Sequence, residues 1–268
     1  MREQPAVNDD LDFSLFKRKV RLSYGIDLNA YKRQQMERRL RANMLRCGAH
    51  SFQQYYAAMQ TNAALLDEFL DRITINVSEL FRNPEQFETL RTVILPKLLE
   101  GGSALSVWSA GCSYGAEPYS LAILLDELAP GRAHKILATD IDERMLARAR
   151  AGEFADAEMR NVSRARLLKY FDRRDDKVTA RSTIKNMISF ARHNLLEDSF
   201  GKGFDLIVCR NVVIYFTDET KKTLYSRFFG ALRPGGYLFV GGTERIADHA
   251  DLGYETHVPF FYGKPRES

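Results

Sequence analysis

The chain has 268 residues, of which 45% are hydrophobic and 28% charged, with a net charge of +4. That length carries one or two domains with a real core, the composition is that of a soluble globular protein, and so modest a charge gives no ground by itself for a nucleic-acid partner. No apolar run reaches membrane-spanning length and Met1-Arg-Glu-Gln-Pro5 lacks a signal-peptide core, while Cys47, Cys112 and Cys209 are odd in number and far apart; a cytoplasmic location without disulfides is expected.

In chain order, residues 10–81 read as helices with no strand candidate. Phe13, Phe16, Val20 and Tyr24 lie at helical spacing and Gly25 can end that helix; a second starts at Asn29 or Ala30 and runs to Cys47-Gly48. Ser51 caps a third helix, and Asn62 a fourth that holds Leu65, Leu66, Phe69, Leu70 and Ile73. Residues 1–75 are therefore expected to form a small all-helical domain. A further helix spans residues 85–100 and stops at Gly101-Gly102.

From Leu105 onward strands alternate with helices. Strands are expected at residues 105–109, 135–139, 187–191, 205–209 and 237–241, which predicts an α/β domain over 76–268 whose parallel sheet is covered on both faces. The tail at 254–264 suits a closing antiparallel hairpin. The polar segment 153–186 interrupts the alternation and is expected to hold a small β appendage. Histidines 50, 134, 193, 249 and 257 form no cluster at ligand spacing, so no metal site is expected.

The stretch Val107-Trp-Ser-Ala-Gly-Cys-Ser-Tyr-Gly-Ala-Glu-Pro-Tyr-Ser120 runs from a strand through a glycine turn into a helix. Gly111 and Gly115 allow positive φ and close approach, and the helix N-terminus faces the space beyond. Asp140 ends the second strand, 29 residues after Gly111, where an acid can accept from ribose hydroxyls; Asp142 is as well placed to cap the following helix. Because the turn lacks the middle glycine of G-x-G-x-x-G, a nucleoside without a pyrophosphate, such as S-adenosylmethionine, fits better than a dinucleotide.

Four separated segments carry a resemblance: Ile75-Asn-Val-Ser-Glu-Leu-Phe-Arg-Asn83, Trp108 to Ser120, Ala138-Thr-Asp-Ile-Asp142 and Cys209-Arg-Asn-Val-Val-Ile-Tyr-Phe216. In these the chain resembles the chemotaxis receptor glutamate methyltransferases, the CheR family, over nearly its whole length. The resemblance implies a Rossmann-like S-adenosylmethionine-dependent methyltransferase sheet with a helical receptor-docking domain at the N-terminus. It implies cofactor contacts from Asn76, Ser78, Arg82, Gly111, Glu117, Asp140, Asn194, Leu195, Arg210 and Asn211, and catalytic roles for Arg82 and Tyr215. S-adenosylhomocysteine would be the product. The implied partner is the cytoplasmic helical region of a chemoreceptor, with no nucleic acid, no membrane insertion and a monomeric enzyme.

The residues also admit plainer uses. Arg82 can be a solvated residue at a helix start and Tyr215 ordinary core; Glu117 can favour its helix dipole, and Asn194 and Asn211 can bond their own backbone in turns. Cys112 and Cys209 read as small buried packing residues. Residues 31–46 carry Lys32, Arg33, Arg38, Arg39, Arg41 and Arg46 against Glu37 alone, with Met36, Leu40 and Met44 on one face and Asn43 beside them. Such a helix is either a solvated face or a docking surface for acidic receptor helices. The loop Asp172-Arg-Arg-Asp-Asp-Lys-Val178 is short and lacks glycine, unlike the loop associated with members that hold a receptor's C-terminal peptide. A methyltransferase-fold adaptor and a nucleic-acid methyltransferase remain as alternatives, the latter disfavoured because no Asn/Asp-Pro-Pro-Tyr/Phe motif follows the fourth strand.

Overall fold

The computed structural model describes residues 6–74, 78–174 and 177–266. They fall into two compact units, one made of the chain up to residue 75 with Tyr215–Lys221, the other of residues 76–214 and 222–268.

The first unit holds α1 (Ala6–Tyr24), α2 (Arg33–Arg46), α3 (Phe52–Thr61) and α4 (Ala63–Thr74). Its core is aromatic: Phe16 meets Phe52 at 5.1 Å, Tyr55 at 5.9 Å and Phe69 at 6.0 Å between ring centroids. Ser51 caps α3 by accepting from the Gln54 amide at 3.2 Å, and the Asp12 carboxylate accepts from the Phe52 and Gln53 amides, tying α1 to the same helix end. The second helix starts later than its sequence suggests. Asp27 caps a short 3-10 turn at Leu28–Ala30, and Tyr31 is extended because it pairs antiparallel with Phe216; the Lys32 amide donates to the Tyr215 carbonyl and the Thr217 amide to the Ala30 carbonyl. A pairing across so much chain leaves no local signal.

The second unit begins with α5 (Pro84–Thr89), a π turn (Leu90–Ile94) and α6 (Leu95–Leu99) where one helix is expected. Pro96 lacks an amide hydrogen and its ring would press on the carbonyl of residue 92, which the widened turn relieves. There follow β1 (Ser106–Ala110), α7 (Ala116–Leu128), β2 (Lys135–Asp140), α8 (Glu143–Ala151), β3 (Glu153–Phe154), α9 (Arg164–Tyr170), β4 (Phe171–Arg174), β5 (Lys177–Ala180) and α10 (Ser182–Lys185). Then come β6 (Ile188–Arg192), β7 (Phe204–Cys209), α11 (Asp218–Ala231), β8 (Leu232–Val240), β9 (Glu255–Val258) and β10 (Phe261–Gly263).

Seven strands form one sheet in the order β6-β2-β1-β7-β8-β10-β9, parallel from β6 to β8 and closed by the antiparallel hairpin. This is the expected α/β architecture. The appendage is a separate antiparallel sheet, β3-β5-β4, in which Arg174 stands opposite Lys177; Asp175 and Asp176 of the loop between them lie outside the described residues. Trp108 anchors the middle of the sheet: it is buried, its Nε1 donates to Thr139 Oγ1 at 2.9 Å, and Phe200, Phe204 and Phe228 surround it. Cys112 and Cys209 are buried among packing residues, as expected. No helix of the described residues is long and apolar enough to cross a membrane.

Candidate functional site

Parallel pairing brings the carboxyl ends of β6, β2, β1, β7 and β8 to one edge. The strand order reverses direction beside β1, and a crevice outside that reversal is where such sheets hold ligands. The loops that meet there are strained. Of the five described non-glycine residues with positive φ, four lie in them: Phe81 (53°), Asn83 (60°), Ser113 (48°) and Asn211 (61°). Backbone in this region costs about 1–3 kcal/mol per residue and gathers where function over-determines it.

In the turn after β1, the amides of Gly111 and Cys112 both donate to the Thr139 carbonyl, at 2.8 and 2.9 Å, folding the turn against β2. Gly111 has φ +83°, and a Cβ there would lie 2.5 Å from Val212 Cγ2. The glycine is therefore demanded first by the neighbouring loop after β7, rather than by a ligand. Gly111→Ala is expected to destabilise the second unit by about 2–5 kcal/mol, from the left-handed backbone and the clash together. Chemical denaturation checks this, and Val212→Ala in the same chain should restore part of the loss.

Asp140 is buried; its Oδ2 accepts from the Ser113 amide at 2.7 Å and its Oδ1 from the Asp142 amide at 3.0 Å. Asp142, by contrast, caps α8 by accepting from the Arg144 amide. Two donors occupy about half the lone-pair sites of a carboxylate, so Asp140 can still accept from hydroxyls. Burial pushes its carboxyl above the ordinary Asp range, and the amides of Asp142, Ser113 and Ile141 work against that. Its carbonyl accepts from the His193 amide at 2.9 Å, which joins the loop after β6 to the same edge.

Glu117 does not sit in solvent at its helix end. It is held by Ser109 Oγ, which donates to Oε1 at 2.8 Å, and by Arg210, whose Nη1 is 3.5 Å from Oε2. Burial raises its carboxyl, opposed by Arg210 and Ser109. Arg210 braces Arg82: its Nη2 donates to the Arg82 carbonyl (2.8 Å), Asn83 Oδ1 (2.9 Å) and Gln86 Oε1 (3.0 Å). Its guanidinium lies over the rings of Phe87 and Phe239, at 5.2 and 4.7 Å. Its Nε is buried with no acceptor among the described residues, a donor that a ligand oxygen would complete.

Arg82 itself is half-buried, not a solvated residue at a helix start. It stands between left-handed Phe81, whose amide donates to Ser120 Oγ at 2.9 Å, and left-handed Asn83, held by Arg210. Such pinning on both sides fixes where the guanidinium starts. Asn194 takes the plainer use as well as any other: its Oδ1 accepts from the Leu196 amide at 3.0 Å. Arg227 donates from Nη1 to the Leu195 carbonyl and from Nη2 to that of Asp198, clamping this loop. The Ser78 carbonyl accepts from the Tyr114 hydroxyl. Asn76 lies outside the described residues. Tyr215 is not core: it is half-buried in the helical unit, with the Arg39 guanidinium 5.4 Å from its ring centre.

Thus one sheet edge gathers Arg82, Gly111, Glu117, Asp140, Asn194, Leu195, Arg210 and Asn211. It also recruits Ser120, Gln86, Arg227 and Glu244, which nothing in the sequence singles out. Glu244 could have been noticed as an acid in a Gly-Gly-Thr-Glu turn just after a strand; the other three carry no such mark. A ligand with adjacent hydroxyls and a positive charge suits a sheet edge that carries the buried carboxylate of Asp140 and the partly buried one of Glu117.

Known proteins agree with this geometry. The CheR methyltransferase all-alpha domain matches residues 11–74, and the CheR methyltransferase SAM binding domain matches residues 76–259. A chemotaxis protein methyltransferase of Listeria innocua is 42% identical over 254 residues, covering 94% of this chain and 97% of that protein. Chemotaxis protein methyltransferase 1 of Pseudomonas aeruginosa is 37% identical, covering 90% of this chain and 92% of its own. The chemotaxis protein methyltransferase of Salmonella typhimurium is 33% identical, with 87% and 84% covered. With both halves matched in order, the chain belongs to the CheR methyltransferase family, S-adenosylmethionine-dependent enzymes of the protein-glutamate methyltransferase type.

Proposed function

We propose that the protein methylates glutamate side chains on the cytoplasmic helices of chemoreceptors, acting as a cytoplasmic monomer. The observation that supports this reading is Arg82, carried by a strained turn whose backbone Arg210 holds at the carboxyl edge of the sheet. S-adenosylmethionine, when bound, supplies an electrophilic methyl carbon on a positively charged sulfur. Asp140 accepts from the ribose hydroxyls with the lone pairs its two amides leave over, and Glu117 answers positive charge. Asn194 and Leu195 line the adenine.

A glutamate acceptor has a pKa near 4.3 and is already an anion at neutral pH, so no general base is called for. What remains is alignment, which can supply several kcal/mol of barrier lowering. Arg82 holds the acceptor carboxylate through its fork of N–H donors, and Tyr215 is assigned to steering it.

Within α2, Met36, Leu40, Asn43 and Met44 face inward, and Arg33, Arg41 and Arg46 are paired with Asp9, Asp10, Glu37 and Glu68. The receptor-facing charge of this helix is accordingly assigned to Lys32, Arg38 and Arg39, where steering would weaken with salt.

Acid should remove cofactor before it removes the fold. Asp140 and Glu117 both have carboxyls raised by burial, so on acidification they take up protons earlier than ordinary carboxylates do. A raised carboxyl pKa makes the folded chain bind protons more readily than the unfolded one, so their protonation favours the fold while cancelling the charge the cofactor needs. Calorimetric titration of S-adenosylhomocysteine at descending pH is expected to show affinity falling while far-ultraviolet circular dichroism stays native; simultaneous loss would refute it.

The function itself is tested by incubating the protein with S-adenosylmethionine and receptor cytoplasmic fragments and mapping the fragments by tandem mass spectrometry. Methylation on glutamate residues is expected; methylation confined to other residues, or to added nucleic acid, would overturn the reading.

A further inference from the structure

Glu244 is buried, and among the described residues no Lys, Arg or His forms an ion pair with it. Its Oε2 accepts from the Asn211 amide at 2.6 Å and the Gly241 amide at 2.8 Å. The amides of Val213 and Ile214 also act on this carboxylate, pulling its pKa down against the burial that raises it. The space beside it is reserved: a Cβ on Gly241 would lie 2.5 Å from Glu244 Oε2 and 3.1 Å from the Asn211 nitrogen.

A buried anion with no ion-paired cation is unfavourable unless donors converge on it; here two amides donate, and the Arg210 charge attracts it from farther off. One of the two amides that donate to it opens the loop 211–214 and the other belongs to the turn after β8, while Oε1 has no hydrogen-bond partner among the described residues. That loop begins with a left-handed asparagine and directly follows Arg210, the residue that holds Glu117 and the Arg82 carbonyl. An alkyl side chain at 244 would leave the converging N–H groups without acceptors, and an amide would meet them with one acceptor oxygen in place of two and no charge.

We propose that Glu244 is a positioning residue for the cofactor site, holding Asn211 and the loop 211–214 in the conformation that presents Arg210 and Asn211 to the cofactor. This rests on the assignment of those two residues as cofactor contacts. Glu244 touches no reacting atom in this role; it acts through the backbone it gathers. Loss of even one charge-assisted hydrogen bond of this kind corresponds to about a ten- to hundredfold change in an equilibrium.

The test uses the full chain with Glu244→Gln and Glu244→Asp, and S-adenosylhomocysteine as the probe. In Glu244→Gln, the Kd for S-adenosylhomocysteine and the KM for S-adenosylmethionine should rise by about ten- to hundredfold. The KM for receptor fragment should stay as in the parent, and apo-protein melting should shift little because a buried charge is removed along with the hydrogen bonds. Hydrogen exchange at the Asn211 amide should accelerate while β7 and β8 remain protected. Glu244→Asp, which keeps the carboxylate, should recover part of the affinity, and it carries the same test if Glu244→Gln does not fold. Unchanged Kd and unchanged Asn211 exchange would overturn the proposal. Asp140→Ala run alongside separates the two levels: if it also leaves S-adenosylhomocysteine affinity unchanged, the site assignment fails, whereas weakened binding there with none in the Glu244 variants sinks only the role of Glu244.

Discussion

Replacing Arg82 by alanine is expected to slow methyl transfer to receptor fragments by about a hundred- to a thousandfold, the loss that follows removal of one preorganised donor aimed at a reacting group. Cofactor affinity should change far less, because Asp140, Glu117 and the backbone around Gly111 are held by Ser113, Asp142, Ser109, Arg210 and Thr139. The reason lies in how the residue is mounted. Its carbonyl accepts from Arg210 Nη2, and its neighbours Phe81 and Asn83 are both left-handed, so alanine keeps these backbone features and removes the guanidinium. Arg82→Lys should fall between, since an ammonium supplies charge without bidentate geometry. Steady-state rates set against calorimetric S-adenosylhomocysteine affinity decide the matter; an unchanged rate removes Arg82 from the chemistry.

Arg210→Met should have the largest effect on stability. The substitution leaves Glu117 buried beside Ser109 with no cation, and strips donors from the Arg82 carbonyl, Asn83 and Gln86. Breaking one side of a buried pair costs about 3–5 kcal/mol. In a chain of this size that corresponds to a fall in melting temperature of about 6–20 °C. Methionine keeps the apolar contact with Phe87 and Phe239, so the loss isolates the polar part. Adding Glu117→Gln should restore some of the stability but none of the cofactor affinity. Differential scanning calorimetry of the two variants measures both terms, and additivity of their effects would mean that the pair is not coupled.

The regular parts of this chain were legible because they follow local rules. Strand-helix alternation after Leu105 placed the parallel strands close to their observed bounds, and Ser51 capped the helix it was expected to cap. Asp140 was legible as an acid at a strand end, and the structure separates it from Asp142, which does the capping. What local rules could not reach are the long-range contacts. Tyr31 is extended because of Phe216, Phe81 is left-handed beside Ser120, and Gly111 is a glycine because Val212 fills the space beside it. The early start of β8 at Leu232, ahead of the strand expected at 237–241, is hidden for a similar reason: Leu232 pairs with Phe204 before the register shifts. Glu244 stood out only as an acid in a turn after a strand; its contact with the Asn211 amide, 33 positions away, carries no local mark.

The central claim, methyl transfer to a carboxylate, is tested most directly by the chemistry of the bond formed. Receptor cytoplasmic fragments are incubated with the protein and S-adenosylmethionine carrying a labelled methyl group, then treated with mild base. The account predicts that label enters the fragments and is released by base as volatile methanol, as an ester requires. Label that stays on the fragments through base treatment, as on nitrogen or an ether oxygen, would contradict it.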